Sequence, residues 1–242
     1  MKQSIFTIIG QERLTASVLR MRLAGDTSAI TAPGQFVNIR LDGQFLRRPI
    51  SVNDVGDDTL TIIYKVVGKG TELMSRLPEG TELDVLTGLG NGYDLTKSGD
   101  SPLLIGGGVG VPPLYLLAKR LLAEGKRPAA ILGFNTKDEI FGEDDFRALG
   151  CDVTVTTVDG SYGVKGFVTN ALPADYTYFY TCGPEPMLKA VYKATATSGQ
   201  FSFEERMGCG FGACMGCSCK TVTGYKRICK DGPVLEKEEI KW

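Results

Sequence analysis

Five of the seven cysteines in this 242-residue chain fall between residues 209 and 229. Cys209, Cys214 and Cys217 have C-x4-C-x2-C spacing, and Cys229 follows. Four thiolates in this pattern are typical of a 2Fe-2S cluster. Glycines alternate with the cysteines, so the loop can bend sharply and bring backbone amides close to bridging sulfides. The spacing therefore predicts a centre for electron transfer.

Two other interpretations of these cysteines stay open at this point. A structural zinc site also uses four cysteines, and a disulfide cluster would use pairs. Zinc ribbons usually carry two CxxC knuckles, whereas only one is present here, so we favour iron and sulfide. Cys219 is an additional thiol that could replace a neighbouring ligand, although we expect a small buried or free thiol.

Two glycine-containing loops have the chemistry to bind a nucleotide. The first joins a predicted strand to a predicted helix, where bare amides and the positive helix end can face a pyrophosphate. It contains Gly106, Gly107, Gly108, Val109, Gly110, Val111 and Pro112. The second begins at Cys182 and Gly183, after the last predicted parallel strand, so it would lie at the carboxyl edge of the sheet. Each loop taken alone could be only a tight strand-to-helix turn.

A third segment places a cation and a hydroxyl three residues apart on an extended run. It contains Arg48, Pro49, Ile50 and Ser51. That geometry suits the edge of a ring and a phosphate, although a generic exposed strand is the plain alternative.

The elements that must position these residues divide the chain into two patterns. Up to about residue 97, short β-rich runs alternate with turns such as Pro33-Gly34 and Asp42-Gly43, which predicts a small antiparallel barrel or sandwich. After a polar, breaker-rich stretch at 97–102, strands alternate with helices, which predicts a parallel, Rossmann-like sheet. The first helix begins at Pro112, and we expect it to bury one apolar face, composed of Leu114, Leu117, Ala118, Leu121 and Leu122.

The sequence therefore predicts an α+β multidomain protein. An antiparallel β-barrel spans 1–98, a Rossmann-like α/β domain spans 99–200, and a small cysteine-bearing subdomain spans 201–242. The apolar content of 43% allows cores of this size.

Charge and composition exclude several functions. Lys and Arg number 27 against 28 Asp and Glu, without a basic block, so nucleic acid is not an expected partner. Histidine is absent, which excludes Ser-His and Cys-His nucleophile pairs and Rieske clusters. No apolar run is long enough to cross a bilayer and no leader is evident, so we expect a cytoplasmic protein without membrane attachment.

The three segments, in this order, resemble the ferredoxin reductase superfamily. The Arg48 to Ser51 segment looks like its flavin-binding R-x-[YF]-[ST] box, with Ile50 in place of the aromatic residue. The later loops look like its GGGxGxxP and CGPxPM boxes. With the cysteine loop added, nearly all 242 residues resemble the electron transfer subunits of type B dihydroorotate dehydrogenases.

The resemblance implies three cofactors and their residues. FAD would lie near Arg48, Pro49, Ile50 and Ser51 and along Ile63, Tyr64 and Lys65, with Gly70 and Thr71 at its pyrophosphate. NAD would lie over 106–112, with its nicotinamide near Cys182, the candidate catalytic residue, and Gly183. The 2Fe-2S ligands would be Cys209, Cys214, Cys217 and Cys229. NAD is favoured over NADP because acidic residues and no arginine follow the second strand, although Lys137 lies close by.

The resemblance also implies a partner protein and a direction of electron transfer. A separate catalytic subunit holding FMN would oxidise dihydroorotate in pyrimidine biosynthesis, and this chain would pass the electrons through its cluster and FAD to NAD. Two copies of each chain would form a heterotetramer. Two alternatives remain: a flavin and iron-sulfur reductase for another partner, such as ferredoxin, and a cofactor-free zinc-binding module.

Overall fold

A closed six-stranded antiparallel barrel forms the N-terminal part of the computed structural model, which describes residues 1–242. Alternate apolar residues of its strands, such as Leu19, Met21 and Leu23 of β2, are buried in the barrel core. The strands are β1 (Lys2–Arg13), β2 (Val18–Ala24), β3 (Phe36–Ile39), β4 (Arg48–Val55), β5 (Thr59–Lys65) and β6 (Glu82–Leu89), in the order β1-β2-β5-β4-β3-β6. A short helix, α1 (Lys69–Met74), lies between β5 and β6. The barrel predicted from the sequence is confirmed.

A seven-stranded sheet follows the barrel. Its elements and the hairpin that interrupts them are β7 (Leu103–Gly107), α2 (Pro112–Ala123), β8 (Ala129–Phe134), α3 (Glu143–Leu149), β9 (Asp152–Thr157), β10 (Val164–Lys165), β11 (Phe179–Cys182), α4 (Glu185–Ala194), β12 (Gly199–Ser202), β13 (Ser218–Thr221), β14 (Gly224–Arg227) and β15 (Val234–Glu236). The order is β10-β9-β8-β7-β11-β12-β15, and only β15 runs antiparallel to its neighbour. This parallel sheet with its helices confirms the Rossmann-like prediction.

Helix α2 joins the two folds. It buries Leu114, Leu117 and Leu121 against the sheet, as expected, while Leu122 is only partly buried. Leu116 faces the other way and belongs to the barrel core. The helix therefore has two buried faces where the sequence predicted one.

The cysteine-bearing segment packs on both neighbours. Cys217, Ile228 and Cys229 share one core with Phe36 and Leu86 of the barrel. The last strand, β15, adds to the edge of the parallel sheet. The predicted limit between residues 200 and 201 falls inside β12, so the domain limits stay a prediction.

The helices are short compared with a lipid bilayer. None combines the length and the apolar composition that a membrane crossing requires.

Candidate redox site

The four cysteines predicted as ligands form two pairs. The amide of Cys209 donates to Sγ of Cys214 at 3.4 Å, and the amide of Cys214 donates to Sγ of Cys209 at 3.4 Å. In the second pair, the amide of Cys229 donates to Sγ of Cys217 at 3.4 Å. Cys217 and Cys229 are buried, whereas Cys214 is exposed. The loop thus has a buried pair and a pair that reaches the surface.

The electrostatics of the first pair favour a thiolate. Burial raises the pKa of Cys209, but hydrogen bonds from the amides of Cys214, Phe211 and Ala213 outweigh it and lower that pKa to about 6. In the second pair, burial and the neighbouring Cys217 thiol raise the pKa of Cys229 to about 12. A metal cluster would have to displace that proton, because the thiolate is the form that binds metal.

This arrangement fits a cluster of two irons. Each iron of a 2Fe-2S cluster takes two protein thiolates, and the chain offers two pairs, one within the 209–214 loop and one across the β13–β14 hairpin. All seven cysteines are free thiols. No three acidic, cysteine or histidine side chains are grouped closely enough to hold a single ion.

Cys219 is placed differently from the four paired cysteines. It lies in β13, opposite Lys226 of β14, and burial raises the pKa of its thiol. We therefore expect it to remain outside the ligand set.

The cysteine loop is held between the barrel and its own hairpin. Gly212, with φ of 92°, accepts a hydrogen bond from Arg227 at 2.9 Å, and Arg227 pairs with Asp231. Asn38 of β3 donates its side-chain amide to the carbonyl of Cys209 at 3.2 Å. Pattern analysis missed Asn38, because a single asparagine in a barrel strand gives no signal of a contact 171 residues away.

The predicted flavin segment forms the start of β4. Residues Arg48 to Ser51 are all half-buried, and the guanidinium of Arg48 donates to Gln44 at 2.7 Å. A Cβ at Gly70 would lie 1.9 Å from Nε of Arg48, so the guanidinium packs directly on the backbone of α1 at Gly70. The Thr71 hydroxyl accepts from the amide of Val67 at 2.9 Å. The structure thus brings Arg48, Gly70 and Thr71 together.

The neighbouring strand β5 offers fewer side chains for contact with FAD. Tyr64 is buried in the barrel core, and its hydroxyl donates to Gln11 at 3.1 Å. Ile63 faces the sheet core, while Lys65 is exposed. The side chains of Ile63 and Tyr64 are therefore both packed in cores.

Three parallel strands end in register at the carboxyl edge of the sheet. Cys182 pairs with Gly106 on one side and with Ser202 on the other. The two predicted nucleotide loops are therefore neighbours, and the cysteine-bearing segment leaves the sheet from the same edge, directly after Ser202.

The two loops touch through their glycines. A Cβ at Gly110 would lie 2.3 Å from the carbonyl oxygen of Cys182, and one at Gly107 would lie 2.4 Å from Sδ of Met187. A Cβ at Gly183 would likewise lie 2.5 Å from Cε of Met187. Gly108 has a φ of 52°, which favours glycine, and a Cβ there would meet no atom within 4 Å.

Pro112 opens α2 directly after the glycine loop. Asn53 of β4 donates to its carbonyl at 3.0 Å. This bond connects the flavin strand to the nucleotide loop.

Cys182 keeps some exposure, but the surrounding protein disfavours its thiolate. Burial raises the pKa of this thiol to about 12, although a hydrogen bond with Ser202 acts in the opposite direction. At neutral pH the residue is therefore a neutral thiol, which suits contact with a ring better than nucleophilic attack.

The end of β8 carries the residues expected to select the nucleotide. Asn135 donates to Glu139 at 2.8 Å, and the amide of Lys137 donates to Ser161 at 2.8 Å. A carboxylate at this place suits a free ribose hydroxyl and repels a 2′-phosphate.

Two open cavities lie away from these loops. One, of about 420 Å³, is at the amino edge of the sheet near Ser101 and Asp152. The other, of about 560 Å³, is lined by Tyr192, Lys220 and Trp242 among others. Neither contains a residue predicted to bind a cofactor.

Comparison with known proteins identifies the same two modules. The model of the iron-sulfur cluster binding domain of dihydroorotate dehydrogenase B matches residues 204–241. A chain from the structure of NADH-dependent reduced ferredoxin-NADP oxidoreductase is 31% identical, with a TM-score of 0.89, over 98% of this chain and 90% of that one. A ferredoxin NADP+ reductase from Neisseria gonorrhoeae shares the fold, with a TM-score of 0.70 at 17% identity over 80% of this chain and 90% of that one.

Relatives match along the full length. The "Dihydroorotate dehydrogenase B (NAD(+)), electron transfer subunit" of Fusobacterium nucleatum is 44% identical over 100% of this chain and 99% of its own. The protein of the same name from Lysinibacillus sphaericus is 42% identical over 99% of this chain and 98% of its own. The chain therefore belongs to the family of electron transfer subunits of the NAD-linked dihydroorotate dehydrogenase B.

Proposed function

We propose that this chain carries electrons from a dihydroorotate-oxidising catalytic chain, through a 2Fe-2S cluster and FAD, to NAD in pyrimidine biosynthesis. The observation that carries the proposal is the meeting of three segments. The cysteine loop rests on β3 through Asn38, β3 pairs with the flavin strand β4, and the loop leaves the sheet beside Cys182. Bound FAD supplies the chemistry that couples one-electron transfer at the cluster to two-electron transfer at nicotinamide.

The residues divide this work among them. The guanidinium of Arg48 would bind FAD near its flavin ring, and Gly70 and Thr71 would hold the pyrophosphate of FAD. The backbone amides of the glycine loop, together with the positive end of α2, would bind the pyrophosphate of NAD. Cys182 would place its neutral thiol against the nicotinamide ring and exclude water there. Cys209, Cys214, Cys217 and Cys229 would bind the irons.

The exposed side of the cysteine loop is where we place the catalytic partner. Phe211 and Met215 are 44% and 56% exposed, next to the exposed Cys214. Apolar side chains beside a redox centre suit a dry contact that shortens the path for the electron. We further propose that the partner holds FMN, that two copies of each chain assemble, and that the assembly is cytoplasmic.

The domain limits complete the proposal. We assign 1–98 to FAD, 99–200 to NAD and 201–242 to the cluster. The strand pairing of β15 with β12 shows that the last two units share one sheet.

Reconstitution tests the function. The purified chain alone should reduce artificial dyes with NADH but should not oxidise dihydroorotate. Adding the catalytic chain should produce NAD reduction by dihydroorotate. Dihydroorotate turnover by the single chain would contradict the proposal, and so would a mixture that reduces no NAD.

A second candidate function is an NAD(P)H reductase that serves ferredoxin. The match at a TM-score of 0.89 to a chain of a ferredoxin-NADP oxidoreductase structure favours it. Replacing the catalytic chain by reduced ferredoxin in the same assay separates the two, because only the second candidate gives NAD(P) reduction from ferredoxin at a comparable rate.

A further inference from the structure

Asn38 occupies an unusual position in the barrel wall. Its neighbours Val37 and Ile39 are fully buried and belong to the barrel core. Since side chains alternate along a strand, Asn38 points out of the barrel. It is nevertheless only 1% exposed, because the cysteine loop covers it.

The side chain of Asn38 has one polar contact in this buried position. Its Nδ2 donates to the carbonyl of Cys209 at 3.2 Å, while its Oδ1 has no partner. If the side-chain amide were turned over, its Oδ1 would face the carbonyl oxygen of Cys209, and two acceptors would be in contact. The carbonyl of Cys209 therefore determines that Nδ2 faces the loop. A buried amide costs free energy unless it is paired, so this bond favours one placement of the loop.

Gly210 allows the loop to approach this amide. Its φ is 80°, and a Cβ there would lie 2.4 Å from Nδ2 of Asn38. The backbone beside Cys209 thus lies directly on the asparagine.

The other side of Asn38 leads to the flavin segment. Asn38 pairs with Pro49 in the β3–β4 ladder, and the carbonyl of Asn38 accepts from Arg47 at 3.3 Å. One residue therefore contacts the loop of the first cluster ligand and the strand that begins with Arg48.

From this geometry we infer that Asn38 is a positioning residue that sets the separation and orientation of the cluster relative to the flavin. The inference rests on the proposed function. Electron transfer weakens steeply with separation, so a small movement of the 209–214 loop slows transfer without removing either cofactor. Removing a group that supports a metal ligand typically lowers metal affinity or activity by about 10- to 100-fold.

The test compares three forms of the full chain by anaerobic rapid mixing with NADH. NADH would supply two electrons as a hydride and become NAD+, and the readout is the rate at which the cluster would be reduced. Asn38→Leu removes the donor and keeps the volume. Thr87→Val is the matched control, because it removes the hydrogen bond that the buried Thr87 donates to the carbonyl of Lys2, on the side of β6 away from β3.

For Asn38→Leu we expect cluster reduction about 10-fold slower than in the unmodified chain. Iron content, FAD content and NADH-dye turnover should be unchanged, and the paramagnetic resonance spectrum of the reduced cluster should shift. Thr87→Val should match the unmodified chain in every readout. If Asn38→Leu loses its cluster, Asn38→Ala, which removes the donor without adding bulk or charge, is measured in its place.

Three results would overturn the inference: unchanged cluster reduction, equal slowing in Thr87→Val, or loss of the cluster from both Asn38 variants. Failure of the proposed function gives a different result: without the relay, the unmodified chain shows no cluster reduction by NADH, and with another electron partner, it fails only in the reconstitution assay with the catalytic chain.

Discussion

The four paired thiols differ from the other cysteines in their surroundings. Amides surround Cys209, and Cys217 and Cys229 are buried together, whereas Cys219 is fixed in a hairpin strand. The C-x4-C-x2-C spacing predicted Cys209, Cys214 and Cys217 as ligands from local sequence, and the family resemblance implied Cys229 as the fourth. The division into two pairs could not be predicted, because it depends on how Cys229 returns from the hairpin.

Substitution of the cysteines tests this assignment. Serine in place of Cys209, Cys214, Cys217 or Cys229 should abolish the cluster signal, because an alcohol is a poor ligand for iron at neutral pH. Cys219→Ser should keep it. Paramagnetic resonance of the reduced chain and iron analysis measure both, and loss of the signal in Cys219→Ser would assign the ligands differently.

At the scale of elements, the glycine loop and the Cys182 loop form one unit. The sequence predicted each loop and its place after a strand, because both signals are local. Their contact through Gly110 could not be predicted, since it depends on β7 and β11 being neighbours in the sheet.

Gly110→Ala tests this unit. The new Cβ would collide with the Cys182 carbonyl, so the loops must separate and NADH should bind about 10-fold more weakly, which corresponds to about 1.4 kcal/mol. Dye-coupled turnover at varied NADH measures the change, with FAD content as a check.

Gly125→Ala is the control, because Gly125 follows α2 in open space with φ of 77°. It should lower the free energy of unfolding by about 1 kcal/mol and leave NADH binding intact. Unchanged binding in Gly110→Ala would contradict the account.

Asp84 of β6 pairs with Arg47, the residue that precedes the flavin strand β4. Arg47 donates to Asp84 Oδ1 and Oδ2 at 3.0 and 2.9 Å, and Gln3 donates to Asp84 Oδ2 at 2.9 Å. The Arg47 hydrogen bond is the main cause that holds the pKa of Asp84 below its usual value. The carboxylate therefore stabilises the fold above the unfolded pKa of about 4, and this contribution is lost as pH falls through the lower folded pKa.

Asp84→Asn should therefore lower the free energy of unfolding by about 1 kcal/mol at pH 7. The difference from the unmodified chain should shrink as pH falls below about 4. Urea unfolding at several pH values measures it. Glu82→Gln, an exposed change on the same strand, is the control and should have little effect at any pH. A difference that does not depend on pH would refute the proposed role of the carboxylate.

At the scale of the whole molecule, the three predicted units are joined more closely than the sequence indicates. Leu116 of α2 packs in the barrel core, and β15, which follows the cysteine segment, pairs with β12 of the parallel sheet. The side chain of Asn91 brackets Val234, donating to its carbonyl at 2.7 Å and accepting from its amide at 3.1 Å. Periodicity predicted the barrel and the sheet because it follows local burial. These junctions depend on residues far apart in the chain, where periodicity has no signal.

The exposed face of the cysteine loop should bind the catalytic chain. Phe211→Ser should weaken that complex about 10-fold, because an exposed aromatic side chain at the centre of an interface is commonly worth more than 1 kcal/mol. Calorimetry with the purified catalytic chain measures the affinity. Ile5→Ser removes an apolar side chain, 56% exposed, from β1 and should leave the affinity unchanged. Equal affinity for Phe211→Ser and the unmodified chain would place the partner elsewhere.

The central claim is the relay between nicotinamide, flavin and cluster in one chain. Anaerobic titration of the freshly purified chain with NADH, followed by visible absorption and paramagnetic resonance, tests it most directly. We expect about two irons, two acid-labile sulfides and one FAD per chain, with loss of flavin absorption and the appearance of a reduced 2Fe-2S signal as NADH is added. A colourless chain that contains zinc, or a cluster that NADH leaves oxidised, would contradict the relay.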